Sequence, residues 1–241
     1  MIRNLSKRQR EEEWMDAPTA TLEEIEPSLH YIRKVNKYFG YTKVTLRYYK
    51  EFSRNWRRDE TIRILDLGTG SADIPIAILQ WANEAKFKVQ VVGLDLHPST
   101  AAIAGREKHA GLTILRGDAL NIPFADGSFD YVMTNMFLHH LDEADVVRVF
   151  SEMKRVSKRG VVAADLLRDQ RAYAWIWLFT IFSNPMVKHD GRVSVAQAFT
   201  LEEIEKLRAE SGLDFARVIH HYGHRFTVAG ERAEFTQGPV E

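Results

Sequence analysis

Residues 62–73 read Ile62-Arg63-Ile64-Leu65-Asp66-Leu67-Gly68-Thr69-Gly70-Ser71-Ala72-Asp73. An apolar run carrying an acid ends in Gly-x-Gly, and a helical pattern follows. That order predicts a buried parallel strand, a tight turn that brings backbone close to a ligand, and a helix N-terminus. The next position decides which ligand. A dinucleotide fingerprint has a third glycine three residues after the second, and this chain has Asp73 there. Asp73, with Asp66 close by, would meet a pyrophosphate with like charge. The pattern points instead to a nucleoside without phosphates.

Three further strands extend the argument. Val89-Gln90-Val91-Val92-Gly93-Leu94-Asp95 is a second buried run that ends in an acid. At the carboxyl end of the neighbouring strand such an acid can accept both hydroxyls of a ribose. A helix-capping role for Asp95 is the competing reading, and Ser99 after Pro98 suits that role better. Leu112-Thr113-Ile114-Leu115 runs into Gly117-Asp118-Ala119, where Asp118 can take an adenine amino group. Phe129-Asp130-Tyr131-Val132-Met133-Thr134-Asn135 is a fourth strand.

Asp-x-Gly-x-Gly, Leu-Asp, Gly-Asp-Ala and Phe-Asp-x-Val, in this order, resemble the class I S-adenosylmethionine-dependent methyltransferases. The nearest likeness is to the small-molecule branch that includes the ubiquinone/menaquinone C-methyltransferase type. The resemblance covers residues 60–165 well and the rest loosely. It implies S-adenosylmethionine as cofactor, held by Asp66, Gly68, Thr69, Gly70, Asp95, Leu96, Asp118 and Ala119, with Asn135 and Met136 on the methionine side. Ala72 departs from the family's frequent third glycine but is small enough to keep binding feasible.

Composition narrows the class. Lys plus Arg equals Asp plus Glu at 33 each, so no net charge draws the chain to nucleic acid or an anionic membrane. The chain has no Cys, which excludes disulfides and thiolate metal sites. The start lacks the apolar core of a secretory signal, and the most apolar stretch, 172–182, is too short to span a bilayer. A cytoplasmic protein is expected.

The predicted fold is a doubly wound, mostly parallel Rossmann-like α/β sheet with an antiparallel C-terminal strand, because strand and helix patterns alternate over 60–165. Residues 1–58 form an N-terminal helical segment or lid, and 59–241 the main domain, with a helical insertion at about 168–199. Residues 1–20 are charged and expected to fray, with Trp14-Met15 as an anchor. Thr21-Leu22-Glu23-Glu24 and Thr200-Leu201-Glu202-Glu203 fit capping boxes. Pro27 should kink or restart the first helix. The aromatic helix of 168–183 should lead into a loop over 184–193. Two terminal strands are expected over 215–220 and 225–229.

Methyl transfer asks little acid–base work, since the sulfonium is already an activated electrophile. A phenol or enol must still lose a proton, so His139 and His140, just after the fourth strand, are the candidate bases. No third metal ligand follows from spacing, so no metal site is predicted. In the related family the N-terminal helices and the insertion after strand five build the substrate chamber. Here Tyr31, Tyr38, Phe39, Trp175 and Phe179 would give it aromatic walls suited to a phenolic, quinone or polyketide-like acceptor. His189-Asp190 is a second polar pair, and His189 a candidate on the substrate side. A small hydrophobic acceptor and a monomer or homodimer are the expected partners. An RNA methyltransferase, a nicotinamide-dependent oxidoreductase and a non-catalytic scaffold are the competing readings. Against the first two stand the zero net charge and Asp73.

Overall fold

The computed structural model describes residues 4–17 and 19–236. Five strands, β1 (Thr61–Leu67), β2 (Lys88–Asp95), β3 (Leu112–Arg116), β4 (Phe129–Asn135) and β5 (Ser157–Leu166), run parallel. The strands β6 (Arg217–His221) and β7 (Arg225–Glu231) join antiparallel, giving the order β3-β2-β1-β4-β5-β7-β6. The fold is Rossmann-like. Strand order reverses between β1 and β4, and such a switch point opens a crevice at the carboxyl ends of the strands.

Alternation along β1 explains why both faces are covered. Ile62 and Ile64 join Tyr131, Met133 and Val162 in one core, while Leu65 and Leu67 join Val132, Val161 and Ala163 in the other. The first face lies under α2 (Tyr41–Phe52) and α3 (Asp73–Glu84), through Tyr49, Phe52, Ile74 and Ile78. The second lies under α5 (Glu143–Val156) and α8 (Leu201–Glu210), through Val149, Phe150, Ile204 and Leu207. Each such side chain contributes about 1.5–3 kcal/mol on burial, so the sheet forms a rigid floor for the crevice.

Both capping boxes are present, opening α1 (Leu22–Tyr38) and α8. Helix α1 is not restarted at Pro27; it continues to Tyr38, and the chain turns only at Gly40, in the left-handed region at φ 87°. Pro27 deletes one backbone donor, and sixteen other helical residues carry the element. Ser99 does not cap α4 (Pro98–Ala104): the N-cap is His97, without a side-chain cap, and Asp95 accepts the His97 amide at 3.1 Å.

Two segments differ from expectation. The aromatic helix α6 (Gln170–Phe179) is followed not by a loop but by α7 (Pro185–Gln197). Asn184 caps α7, its Oδ1 accepting the Val187 amide at 2.8 Å, and Pro185 takes the first helical position, where a missing N–H does no harm. Gly191 lies within α7 because α6 packs there: a Cβ would sit 2.9 Å from Ile176 Cγ1. The N-terminal arm, 4–17, is packed rather than frayed. Leu5 is buried and its carbonyl accepts from the buried Arg168 guanidinium at 3.0 Å. Arg8 donates to the carbonyls of Gln197, His139 and Leu141, while Asp190 of α7 accepts the Trp14 and Met15 amides at 2.8 and 3.1 Å. Residues 1–3 lie outside the described part.

Replacing Asn184 by Ala should remove the α7 cap and lower stability by about 1 kcal/mol, read from urea unfolding midpoints. An unchanged midpoint would contradict the capped helix.

Candidate active site

The turn after β1 is shaped by what surrounds it. Gly68 has φ 65°, and a Cβ there would lie 2.6 Å from Phe137 Cδ2, so no side chain fits. The Gly68 and Thr69 amides both donate to the Leu94 carbonyl, at 2.9 and 3.1 Å, which ties the turn to β2. Gly70 is different: at φ 54° its Cβ would meet nothing closer than Leu29 at 3.9 Å. Its backbone faces open space, a cradle that a side chain would fill.

That space is a cavity of about 1380 Å³. All ten residues expected at the cofactor, Asp66, Gly68, Thr69, Gly70, Asp95, Leu96, Asp118, Ala119, Asn135 and Met136, line it, and so does Asp73. Asp66 is buried and accepts from Thr69 Oγ1 at 2.8 Å. Burial, with Asp73 and Asp95 adding repulsion, pushes its carboxyl up to about 8. Asp95 is also raised by burial, although its oxygens accept the Gly70 and His97 amides at 3.0 and 3.1 Å. Asp118 accepts the Leu120 amide at 2.8 Å. Asn135 takes a hydrogen bond from Thr45 on Oδ1 at 2.5 Å, while its buried Nδ2 has no partner in the protein. An acidic wall with one spare amide donor suits a cationic ligand that also carries an acceptor group.

The other half of the cavity is apolar. Phe39 meets Phe179 edge-on at 5.0 Å, Phe179 stacks on Trp175 at 5.5 Å, and all three, with Tyr31, line the space. Two expected contributors lie outside this lining. Tyr38 is 74% exposed, because the helix turns it away while Phe39 faces inward. His189 stacks on Trp14 at 4.1 Å, and its Nδ1 is 2.8 Å from Asp190. Arg225, not anticipated from sequence, is buried on the lining with its guanidinium 4.5 Å from the Tyr41 ring centroid.

His139 and His140 also line the cavity, with ring centroids 4.2 Å apart. Asp165 aligns His139, accepting from Nδ1 at 2.8 Å and from the backbone amide at 3.1 Å. Glu13, also missed from sequence, arrives from the N-terminal arm: its Oε1 lies 3.6 Å from His139 Nε2 and 4.0 Å from His140 Nδ1. Ser194 and Gln197 donate to the same oxygen at 2.6 and 3.1 Å, and Asp16 Oδ2 is 2.6 Å from His140 Nδ1. Burial would raise Glu13, but His140, His139 and Ser194 outweigh it and hold the carboxyl down at about 2. Burial likewise opposes a charge on His140, yet Glu13 and Asp16 raise it to about 10.

Asp66 makes a testable contribution. Its folded value of about 8 lies above the unfolded 3.8, so the stability it allows is fully present below about pH 4 and is lost as pH rises through about 8. Asp66→Asn should flatten that fall in urea titrations between pH 5 and 9. An equal slope in both proteins would contradict a buried, proton-holding Asp66.

The chain is similar to known proteins in sequence and in fold. Residues 64–160 match the family model described as a methyltransferase domain. A demethylmenaquinone methyltransferase of Listeria monocytogenes serotype 4a is 27% identical over 83% of this chain and 89% of its own length. Those of Roseiflexus sp. and Staphylococcus epidermidis are 33% and 37% identical, over 43% and 45% of this chain; each match spans less than half of the relative, 42% and 44%. The plantazolicin methyltransferase BpumL, solved with S-adenosylhomocysteine, superposes with a TM-score of 0.66 at 10% identity, covering 90% of this chain and 93% of that one. Human N-acetylserotonin methyltransferase gives 0.63 at 12%, over 88% and 56%.

Proposed function

We propose that this chain, which carries a methyltransferase domain over 64–160 and the fold of class I S-adenosylmethionine-dependent methyltransferases, methylates an oxygen or carbon of a small hydrophobic acceptor of the quinol or phenol type. One observation carries the cofactor half: Asp66, Asp73, Asp95 and Asp118 all line the cavity, at or just beyond the carboxyl ends of β1, β2 and β3. S-adenosylmethionine brings a sulfonium and an ammonium to that acidic lining, whereas a phosphate would meet like charge. In this reading Asp95 accepts the ribose hydroxyls, Asp118 with Ala119 meets the adenine, and Leu96 packs beside them. The Gly68–Gly70 turn, Asp66, Asn135 and Met136 hold the methionine portion, with the spare Asn135 amide for its carboxylate.

The acceptor half rests on Phe39, Trp175, Phe179 and Tyr31, whose flat apolar surfaces suit a ring. The relatives named demethylmenaquinone methyltransferases favour a quinol within that class. Residues 1–58 and the insertion at about 168–199 would serve as the lid on this side. In the transfer, the S–CH3 bond breaks with its electron pair returning to sulfur, a bond forms from the acceptor's oxygen or carbon to the methyl carbon, and the acceptor releases one proton. Positioning and exclusion of water do most of the work. With His140 holding its own proton up to about 10, the acceptor's proton would pass to water, and His140 and Arg225 would offset negative charge gathering on the acceptor oxygen.

Asp95→Ala should weaken S-adenosylhomocysteine binding by roughly 10–100-fold; equal affinity would remove the ribose assignment. With labelled methyl groups and a panel of naphthoquinols and phenols, His139→Ala and His140→Ala should each lower turnover at saturating cofactor. Unchanged pH–rate profiles in both would reduce these histidines to structural groups.

A further inference from the structure

We propose that Glu13, His139 and His140 form a binding site for a divalent transition-metal ion of the Zn2+ type, with an open position facing the acceptor side of the cavity. Their ligand atoms lie within 4.8 Å of one another, with Glu13 Oε1 at 3.6 Å from His139 Nε2 and 4.0 Å from His140 Nδ1. These separations exceed a hydrogen bond. They match the spacing around an ion: bonds of about 2.0–2.1 Å at tetrahedral angles put ligand atoms roughly 3.4 Å apart. A small inward shift of the two imidazoles would complete the set.

The support around the three ligands is of the kind a metal site needs. Asp165 accepts the His139 Nδ1–H at 2.8 Å, which fixes the tautomer and leaves Nε2 to coordinate. Glu13 is steadied by Ser194 Oγ and Gln197 Nε2. Asp16 Oδ2 lies 2.6 Å from His140 Nδ1, so it would release this contact, and Nδ1 its proton, when that nitrogen turns to the ion. A dication would replace the proton that His140 carries, within a cluster of three carboxylates, Glu13, Asp16 and Asp165. Two imidazoles and a carboxylate, in a chain without Cys, favour a borderline cation over Mg2+ or Ca2+.

His140 is half-buried and lines the cavity together with Glu13 and Asp16, so the open coordination position faces the acceptor space. An ion there would also fasten the N-terminal arm, since Glu13 is the arm's ligand. Resting on the methyl-transfer reading, that position would take an acceptor hydroxyl oxygen and favour its ionised form.

The test uses the full-length chain stripped with chelator, then titrated with Zn2+ alone by calorimetry and, separately, with Co2+ by visible absorption. One Zn2+ per chain is expected, with at least about 10-fold weaker binding in Glu13→Gln and in His140→Ala. The Co2+ ligand-field bands should vanish in Glu13→Gln. A His30→Ala/His109→Ala double variant, which removes two imidazoles outside the cavity lining, should bind as the wild type does. Absence of stoichiometric Zn2+ binding, or binding that survives Glu13→Gln undiminished, would overturn the proposal. S-adenosylhomocysteine titration of the same samples separates the two readings: a variant that keeps this ligand and loses Zn2+ is folded and supports the site. A wild-type chain that binds Zn2+ but not S-adenosylhomocysteine would sustain the metal site while removing the methyl-transfer reading.

Discussion

Asp66 sits fully enclosed at the end of β1, beside Asp73 and Asp95, and the rest of the site is arranged around that concentration of acid. Taking carboxylates out of water costs free energy unless they are paired or protonated. Part of the cost is offset locally: Thr69 donates to Asp66, the Gly70 and His97 amides donate to Asp95, and Ser71 and Asn36 donate to Asp73. The remainder is what a cationic ligand would relieve. The same constraint explains small details of sequence. Gly93 has no side chain because a Cβ would lie 2.6 Å from the Thr69 hydroxyl that serves Asp66.

A second polar cluster lines the same cavity, and it depends on a long-range element. The arm of 4–17 is bound by hydrogen bonds to its backbone, by the insertion of Glu13, and by the apolar contacts of Leu5 and Met15.

Much of this was legible in the sequence where the determinants are local. The strands follow from runs buried on both faces, the Gly68–Gly70 turn from its two glycines, and the helix starts from Thr21-x-x-Glu24 and Thr200-x-x-Glu203. Asn184-Pro185 was read as a loop because the same dipeptide begins turns and caps helices; its helical outcome is decided by packing of Gly191 against Ile176. Tyr38 and Phe39 differ by one residue, about 100° around a helix, which is enough to put one in solvent and the other in the cavity. Glu13 carried no local signal. Its position is set by partners in α7 and beyond β4, and within a run of acids nothing marks it from Glu11 or Glu12.

The most direct test of the acidic-wall account is a calorimetric titration of the unmodified chain with S-adenosylhomocysteine and with NADH, at pH 7 in two buffers of different ionisation enthalpy. S-adenosylhomocysteine should bind with release of protons, because its ammonium group stabilises the ionised form of an Asp66 that otherwise titrates at about 8, and NADH should not bind. Binding of NADH, or failure to bind S-adenosylhomocysteine, would contradict the account at its centre.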